Sequence, residues 1–201
     1  MSRKTAYLQS AGRYFHAYNR GVNREPIFLT DEDYRIFIRQ IRESTSCIGV
    51  VLLNYCLMPN HYHFTLRQDL PYAMATFFQL LCDRYAKTFN FLHGRVGHLF
   101  QGSYTPKPVD NLETLSQLSR YIHMNPVAAR LVSDPNQWEF SSCQEYCGLR
   151  SSGFVEPAAI LERFGDGLPY TAYLRQNAPE DQMQFDHMKD RRSSVPHQVI
   201  Q

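Results

Sequence analysis

The sequence predicts an α+β domain of the ferredoxin-like type: an antiparallel sheet carrying two packing helices, with one further helix added. Three observations support this. Residues 61–67 (HYHFTLR) alternate between apolar and polar, as a half-buried strand does. Apolar residues recur at helical spacing over 34–41 and again over 77–92. Read in order, the segments run strand, helix, strand, strand, helix, strand, which is the split βαβ pattern.

Arg13 to Asn19 (RYFHAYN) is aromatic-rich and reads as the first strand, broken by Gly21 and the stretch Asn23 to Pro26. Thr30 can cap a first helix. Asp31 to Asp33 suit the positive end of its dipole, and Tyr34, Phe37, Ile38 and Ile41 fall on one face. Ile48 to Leu57 is a nearly continuous apolar run, as in a buried central strand. Met58-Pro59-Asn60 is a turn, and His61 to Arg67 is the partner strand of a hairpin. A second helix follows Pro71, keeps its spacing through Leu92 and ends at Gly94. A last strand is expected between Leu99 and Val109. Asp110 or Asn111 then caps a helix reaching about Met124, one element more than the ferredoxin-like pattern needs.

The chain divides into a main domain over 1–149, a short helical appendage over 150–176 and a tail over 177–201. Short helices are expected at Ser142 to Cys147, Pro157 to Phe164 and Tyr170 to Gln176. The tail is polar and aperiodic. It reads as a mobile end, with a second reading in which its carboxylates fold back over a basic groove. Hydrophobic residues make up 43% of the 201, enough for an ordinary core. The net charge is only +2, but 17 of the 21 basic residues are Arg, whose planar fork fits phosphate. Five cysteines without a CxxC pair fit reduced thiols in a cytoplasmic protein. The N-terminus lacks the apolar stretch of a signal peptide, and the run Ile48 to Met58 is too short to span a membrane.

Two stretches can carry chemistry. In His61-Tyr62-His63, strand alternation puts both imidazoles on one face, close enough to share a metal ion. The same spacing fits a surface strand with two incidental histidines. Tyr121 and Asn125 lie one helical turn apart. A tyrosine can attack phosphorus and hold a covalent intermediate, and an amide oxygen one turn away can complete a hard-metal site. The plain alternatives are a packing tyrosine and an Asn that caps a next segment over Val127 to Leu131. Basic residues Arg20, Arg24, Arg84, Lys87, Arg95 and His98, interleaved with Tyr14, Tyr18, Tyr85 and Tyr104, can hold a sugar-phosphate chain and stack bases. Each fits a solvated helix face or loop equally well.

Together these residues carry a family resemblance. Residues 58–63 (MPNHYH) and 120–127 (RYIHMNPV) resemble the two signature stretches of single-tyrosine transposases, within the His-hydrophobic-His (HUH) endonuclease superfamily. Residues 18–24 (YNRGVNR), the loop 97–102 (GHLFQG) and Trp138 before Ser141-Ser142 match as well. The similarity spans about residues 13 to 149 and is greatest to the REP-associated branch, which acts on repetitive extragenic palindromes. Many relatives have Arg after the Gln-Gly of the glycine loop. Here Ser103 stands there, and Lys107 is a candidate replacement.

The resemblance implies a ferredoxin-like core, Tyr121 as nucleophile on the extra helix, and a divalent ion, Mg²⁺ or Mn²⁺, on His61 and His63, with Asn125 as third ligand. It also implies cleavage of single-stranded hairpin DNA through a 5′-phosphotyrosine. Two other readings compete: a replication-initiation or relaxase-type nickase, and a module that binds palindromic DNA or RNA without cutting. The short chain with one signature tyrosine disfavours the first, and the intact His61, His63 and Tyr121 disfavour the second. A monomer and a homodimer are both compatible with the pattern.

Overall fold

Strands and helices follow one another in the order the sequence predicts. The structure is a computed structural model that describes residues 9–164 and 169–176, without the side chains of Ser46 and Cys47. The expectations for the tail 177–201 lie outside the described residues. Strand β1 (Arg13–Arg20) leads through a 3₁₀ turn to helix α1 (Asp31–Ile48). Strands β2 (Val50–Met58) and β3 (His61–Gln68) form the hairpin. Helix α2 (Ala73–Leu92), strand β4 (Thr105–Val109) and helix α3 (Leu112–Ala128) follow. The sheet order is β2-β3-β1-β4 with every pair antiparallel, the ferredoxin-like arrangement.

Local chemistry sets the boundaries. Thr30 and Asp33 form a reciprocal capping box at the start of α1. The helix runs through Ile48 and stops at Gly49, whose φ of 72° closes it in the left-handed region. Ile48 therefore ends a helix rather than starting a strand. At Gly21 the chain turns so tightly that a Cβ would run into the carbonyl oxygen of Glu25. Asn111 caps α3 by accepting from the Thr114 N–H at 2.8 Å. That helix passes through Pro126 to Ala128, so Asn125 is an interior residue and not the cap of a separate segment. Pro126 supplies no backbone N–H to the helix, which ends two residues later at Ala128.

Sheet alternation builds two layers. Phe15, Ala17, Tyr62, Phe64 and Leu66 point to one side, where they meet Phe37 and Ile41 of α1 and Phe77, Phe78, Leu81 and Tyr85 of α2. Truncating one such buried ring to Ala costs about 3–5 kcal/mol. The other side carries α3, packed through Leu115, Leu118, Tyr121 and Ile122 on Leu53, Cys56 and Met58 of β2. Helices α4 (Cys143–Tyr146), α5 (Ala158–Leu161) and α6 (Tyr170–Arg175) join that second layer through Tyr146, Ile160, Tyr170 and Leu174.

Strand β2 is buried as its apolar run demands, yet it is an edge strand and not a central one. Helices cover its faces, and the chain itself covers its rim. The Leu57 N–H donates to the Phe140 carbonyl, Ser142 donates to Tyr55, and Glu156 donates to Leu52. At the opposite edge, Pro106 and Pro108 sit in β4 facing Ala17 and Phe15. The described cysteines Cys56, Cys82, Cys143 and Cys147 are thiols. Among the described residues, no helix is long and apolar enough to cross a membrane.

Candidate active site

The pairing register decides which side chains share the histidine face. Residues directly opposite one another point the same way. Tyr18 pairs with His63, Arg20 with His61 and His16 with Thr65. On β4, Thr105 pairs with Tyr18 and Lys107 with His16. His61, His63, His16, Tyr18, Arg20 and Lys107 therefore line one face, the same face that α3 covers along β2 and β3.

The two signature stretches meet there. The rings of His61 and His63 lie 5.0 Å apart between centroids, nearly perpendicular. The Tyr121 ring stands edge-on to His63 at 5.7 Å. Asn125 is one turn farther along α3, and its side-chain amide donates to the Tyr121 carbonyl at 2.7 Å.

Hydrogen bonds set how the two imidazoles present themselves. The Asn60 amide nitrogen donates to the Arg24 carbonyl at 3.2 Å, so its oxygen is the end that faces His61. That oxygen lies 2.7 Å from His61 Nδ1 and can only accept. His61 is thus protonated on Nδ1 and carries its lone pair on Nε2. His63 Nδ1 lies 3.0 Å from His16 Nε2, with both rings buried and nearly parallel. When His63 donates across that bond, its Nε2 also carries a lone pair. A partner on the second ring nitrogen is the usual way a ligating histidine is oriented, and the two imidazoles fit a divalent ion in this respect. Among the described residues, no group of three or more His, Cys, Asp or Glu side chains is arranged to hold a metal.

The basic residues divide into two sets. Arg20, Arg24, Arg95 and His98 gather at the His61 end of the sheet. The Gly21 N–H donates to the Asn60 carbonyl there, and Val22 donates to Leu99 of the glycine loop. Arg20 Nε reaches Gln101 at 2.7 Å, and Arg95 spans Glu25 and the His98 carbonyl. Arg84 and Lys87 are not part of this set. They lie on α2, beyond the opposite side of the sheet, paired with Glu43 and Asp83 at 2.8 and 2.7 Å. A helix that packs on the Tyr62 side cannot direct them to the His61–His63 side.

His16 joins the site through register, which the sequence does not display, and the same register brings Lys107, the candidate replacement for the missing Arg, onto this face. Lys107 Nζ lies 5.6 Å from the Tyr18 ring centre, a cation over an aromatic face. The alternation of Arg13 to Asn19 was the available signal for His16, but only the pairing brings it to His63.

The strand-borne histidine pair under a tyrosine-bearing helix defines a class. The sequence profile of the family described as "Transposase IS200 like" matches residues 10–125, more than half of the chain. The chain belongs to this family and is a transposase enzyme acting on DNA. Among solved structures, it is similar to a REP-associated tyrosine transposase bound to a REP hairpin. That match has a TM-score of 0.59 and 16% identity over 78% of this chain and 98% of the other, and it places the fold. A crystal structure of a transposase homologue from Deinococcus radiodurans R1 matches more loosely, with a TM-score of 0.43 and 20% identity over 56% of this chain and 90% of the other. A comparison with curated protein sequences gives no match.

Proposed function

We propose that the protein is a metal-dependent endonuclease and strand transferase acting on single-stranded hairpin DNA, with Tyr121 as the nucleophile. The observation that supports this most directly is the edge-on approach of Tyr121 to His63, beside His61. Membership of the transposase family gives DNA as substrate, and the hairpin preference follows the structural relative that holds one.

In this reading the phenol oxygen of Tyr121 forms a bond to the scissile phosphorus and the bond from phosphorus to the 3′-oxygen breaks. The products are a 5′-phosphotyrosine and a free 3′-OH, with the phenolic proton passed to the departing oxygen or solvent. A second 3′-OH reverses the step and joins strands. His61 and His63 would hold Mg²⁺ or Mn²⁺ through Nε2, with the Asn125 amide oxygen as a third protein ligand. When bound, such an ion polarises a non-bridging phosphate oxygen. Asn60 and His16 orient the two imidazoles. Arg20, Arg24, Arg95 and His98 hold the backbone at the His61 end, and Tyr18 with Lys107 offers a surface for a base and its phosphate. In this reading the protein acts in the cytoplasm, where the reduced cysteines expected from the sequence also place it. The non-cleaving alternative has no geometric feature of its own in its favour.

The test is a labelled pool of single-stranded hairpins with randomised flanks, incubated with Mn²⁺. The wild type should form a covalent band that resists denaturation and is absent with chelator. Tyr121→Phe should bind the pool and form none. An adduct in Tyr121→Phe would move the nucleophile to another tyrosine, and none in the wild type would favour the binding module.

A further inference from the structure

Helix α3 is held from behind by a hydrogen-bond chain that the proposed chemistry does not use. At about 100° per residue, Ser119 and His123 share one face of the helix, roughly opposite the face of Tyr121 and Asn125. The Tyr170 hydroxyl of α6 lies 2.7 Å from Ser119 Oγ and 2.8 Å from His123 Nδ1. His123 Nε2 lies 2.9 Å from Ser142 Oγ. Ser142 Oγ in turn accepts from the Tyr55 N–H at 2.8 Å and faces the Tyr55 carbonyl at 3.2 Å. All of these side chains are buried.

One proton arrangement serves every group. Ser119 donates to the Tyr170 oxygen, Tyr170 to His123 Nδ1, His123 Nε2–H to Ser142, and Ser142 to the Tyr55 carbonyl. The chain thus runs from α6 through α3 into the backbone of β2 without a break. The apolar contacts of Leu115, Leu118 and Ile122 hold α3 against the sheet but have no direction, and they tolerate a small roll or slide of the helix. Hydrogen bonds on the adjoining Ser119–His123 face do not, because a misaligned buried donor or acceptor is costly.

We propose that Tyr170 and His123 are positioning residues that fix the roll and height of α3 and so aim Tyr121 at the His61–His63 face. The proposal rests on Tyr121 being the nucleophile. It assigns a role to the segment around Tyr170 and to Ser142, both beyond the residues 10–125 that the family profile matches. The device is a strut, and it touches neither DNA nor ion.

Tyr170→Phe removes one oxygen atom and keeps the ring packing, and Ser119→Ala removes one donor should the first variant fold poorly. Each is assayed well below its melting temperature against the same hairpin pool with Mn²⁺. The adduct-forming rate should fall about tenfold or more, as misplacement of a reacting group by a fraction of an ångström to an ångström does. Affinity for the pool should stay unchanged. Hydrogen exchange should quicken in peptides covering 112–128 and stay constant in those covering β3 and α2. An unchanged exchange pattern in α3 would overturn the strut, and so would faster exchange with an unchanged adduct rate. A wild type that forms no adduct would instead overturn the proposed function; exchange alone then decides whether the chain anchors α3.

Discussion

Lowering the pH from 7 to 5 sets the buried imidazole of His123 against the hydrogen bonds that hold it. The ring is fully buried, and burial pushes its pKa down to about 3 from the ordinary 6.5. The unfolded chain takes up a proton below pH 6.5 that the folded chain refuses until about pH 3. Because the folded value is depressed, the contribution is complete above pH 6.5 and is lost progressively as pH falls toward 3. Between pH 7 and pH 5 the two values give a loss of about 2 kcal/mol, and each further unit down to pH 3 removes about 1 kcal/mol more. Other groups titrate in the same range, so the measurement is a difference. Urea unfolding at pH 7 and pH 5 is compared for the wild type and His123→Gln. The variant should start roughly 1–3 kcal/mol less stable at pH 7, and its further loss at pH 5 should be about 2 kcal/mol smaller than that of the wild type. Equal pH dependence in the two proteins would show that His123 is not held neutral by its surroundings.

Isothermal titration with Mn²⁺ should give a bound ion in the wild type and none in the His61→Ala, His63→Ala double variant; unchanged binding would move the metal elsewhere. Arg20→Ala should lower the salt dependence of hairpin binding by about 0.7 in log–log slope, the value for one single-strand phosphate contact. Arg84→Ala, on the far side of the sheet and paired with Glu43, should leave it unchanged, and equal effects would contradict a groove confined to the histidine face. Thr30→Ala removes half of the capping box and should cost about 1 kcal/mol, a fall of roughly 2–4 °C in Tm by calorimetry with no change in adduct formation.

The elements were legible because each rests on local chemistry. The alternation of 61–67, the Thr30 cap and Gly94 after the second helix act within a few residues of themselves. The boundary at Ile48 was misread because apolar residues end α1 and begin β2 with only Gly49 between them. The position of β2 was misread for a different reason. A run buried on all sides looks central, but here the covering comes from α3 and from residues 140–142 and 155–156, which are distant in sequence. The same division holds at the site. His61, His63, Tyr121 and Asn125 stand out through the resemblance of 58–63 and 120–127 to two family signatures, since their spacing alone also fits incidental residues. His16, Lys107 and the Tyr170–His123–Ser142 chain depend on strand register and on packing between distant segments. Arg84 and Lys87 were grouped with the other basic residues because charge is visible in a sequence, whereas the side of the sheet from which a helix looks out is not.

The two rims of the sheet have a consequence for how copies of this chain can meet. Along β2, the backbone groups of Leu52, Tyr55 and Leu57 are already engaged by Glu156, Ser142 and Phe140. Along β4, Pro106 and Pro108 present ring carbons where an incoming strand would look for donors. Among the described residues, neither rim offers an incoming strand an unbroken row of backbone donors, which disfavours extending the sheet from one molecule into the next. Association through the helical surfaces or across a shared DNA hairpin keeps each sheet separate, so the histidine pair of each copy stays on a platform of fixed width.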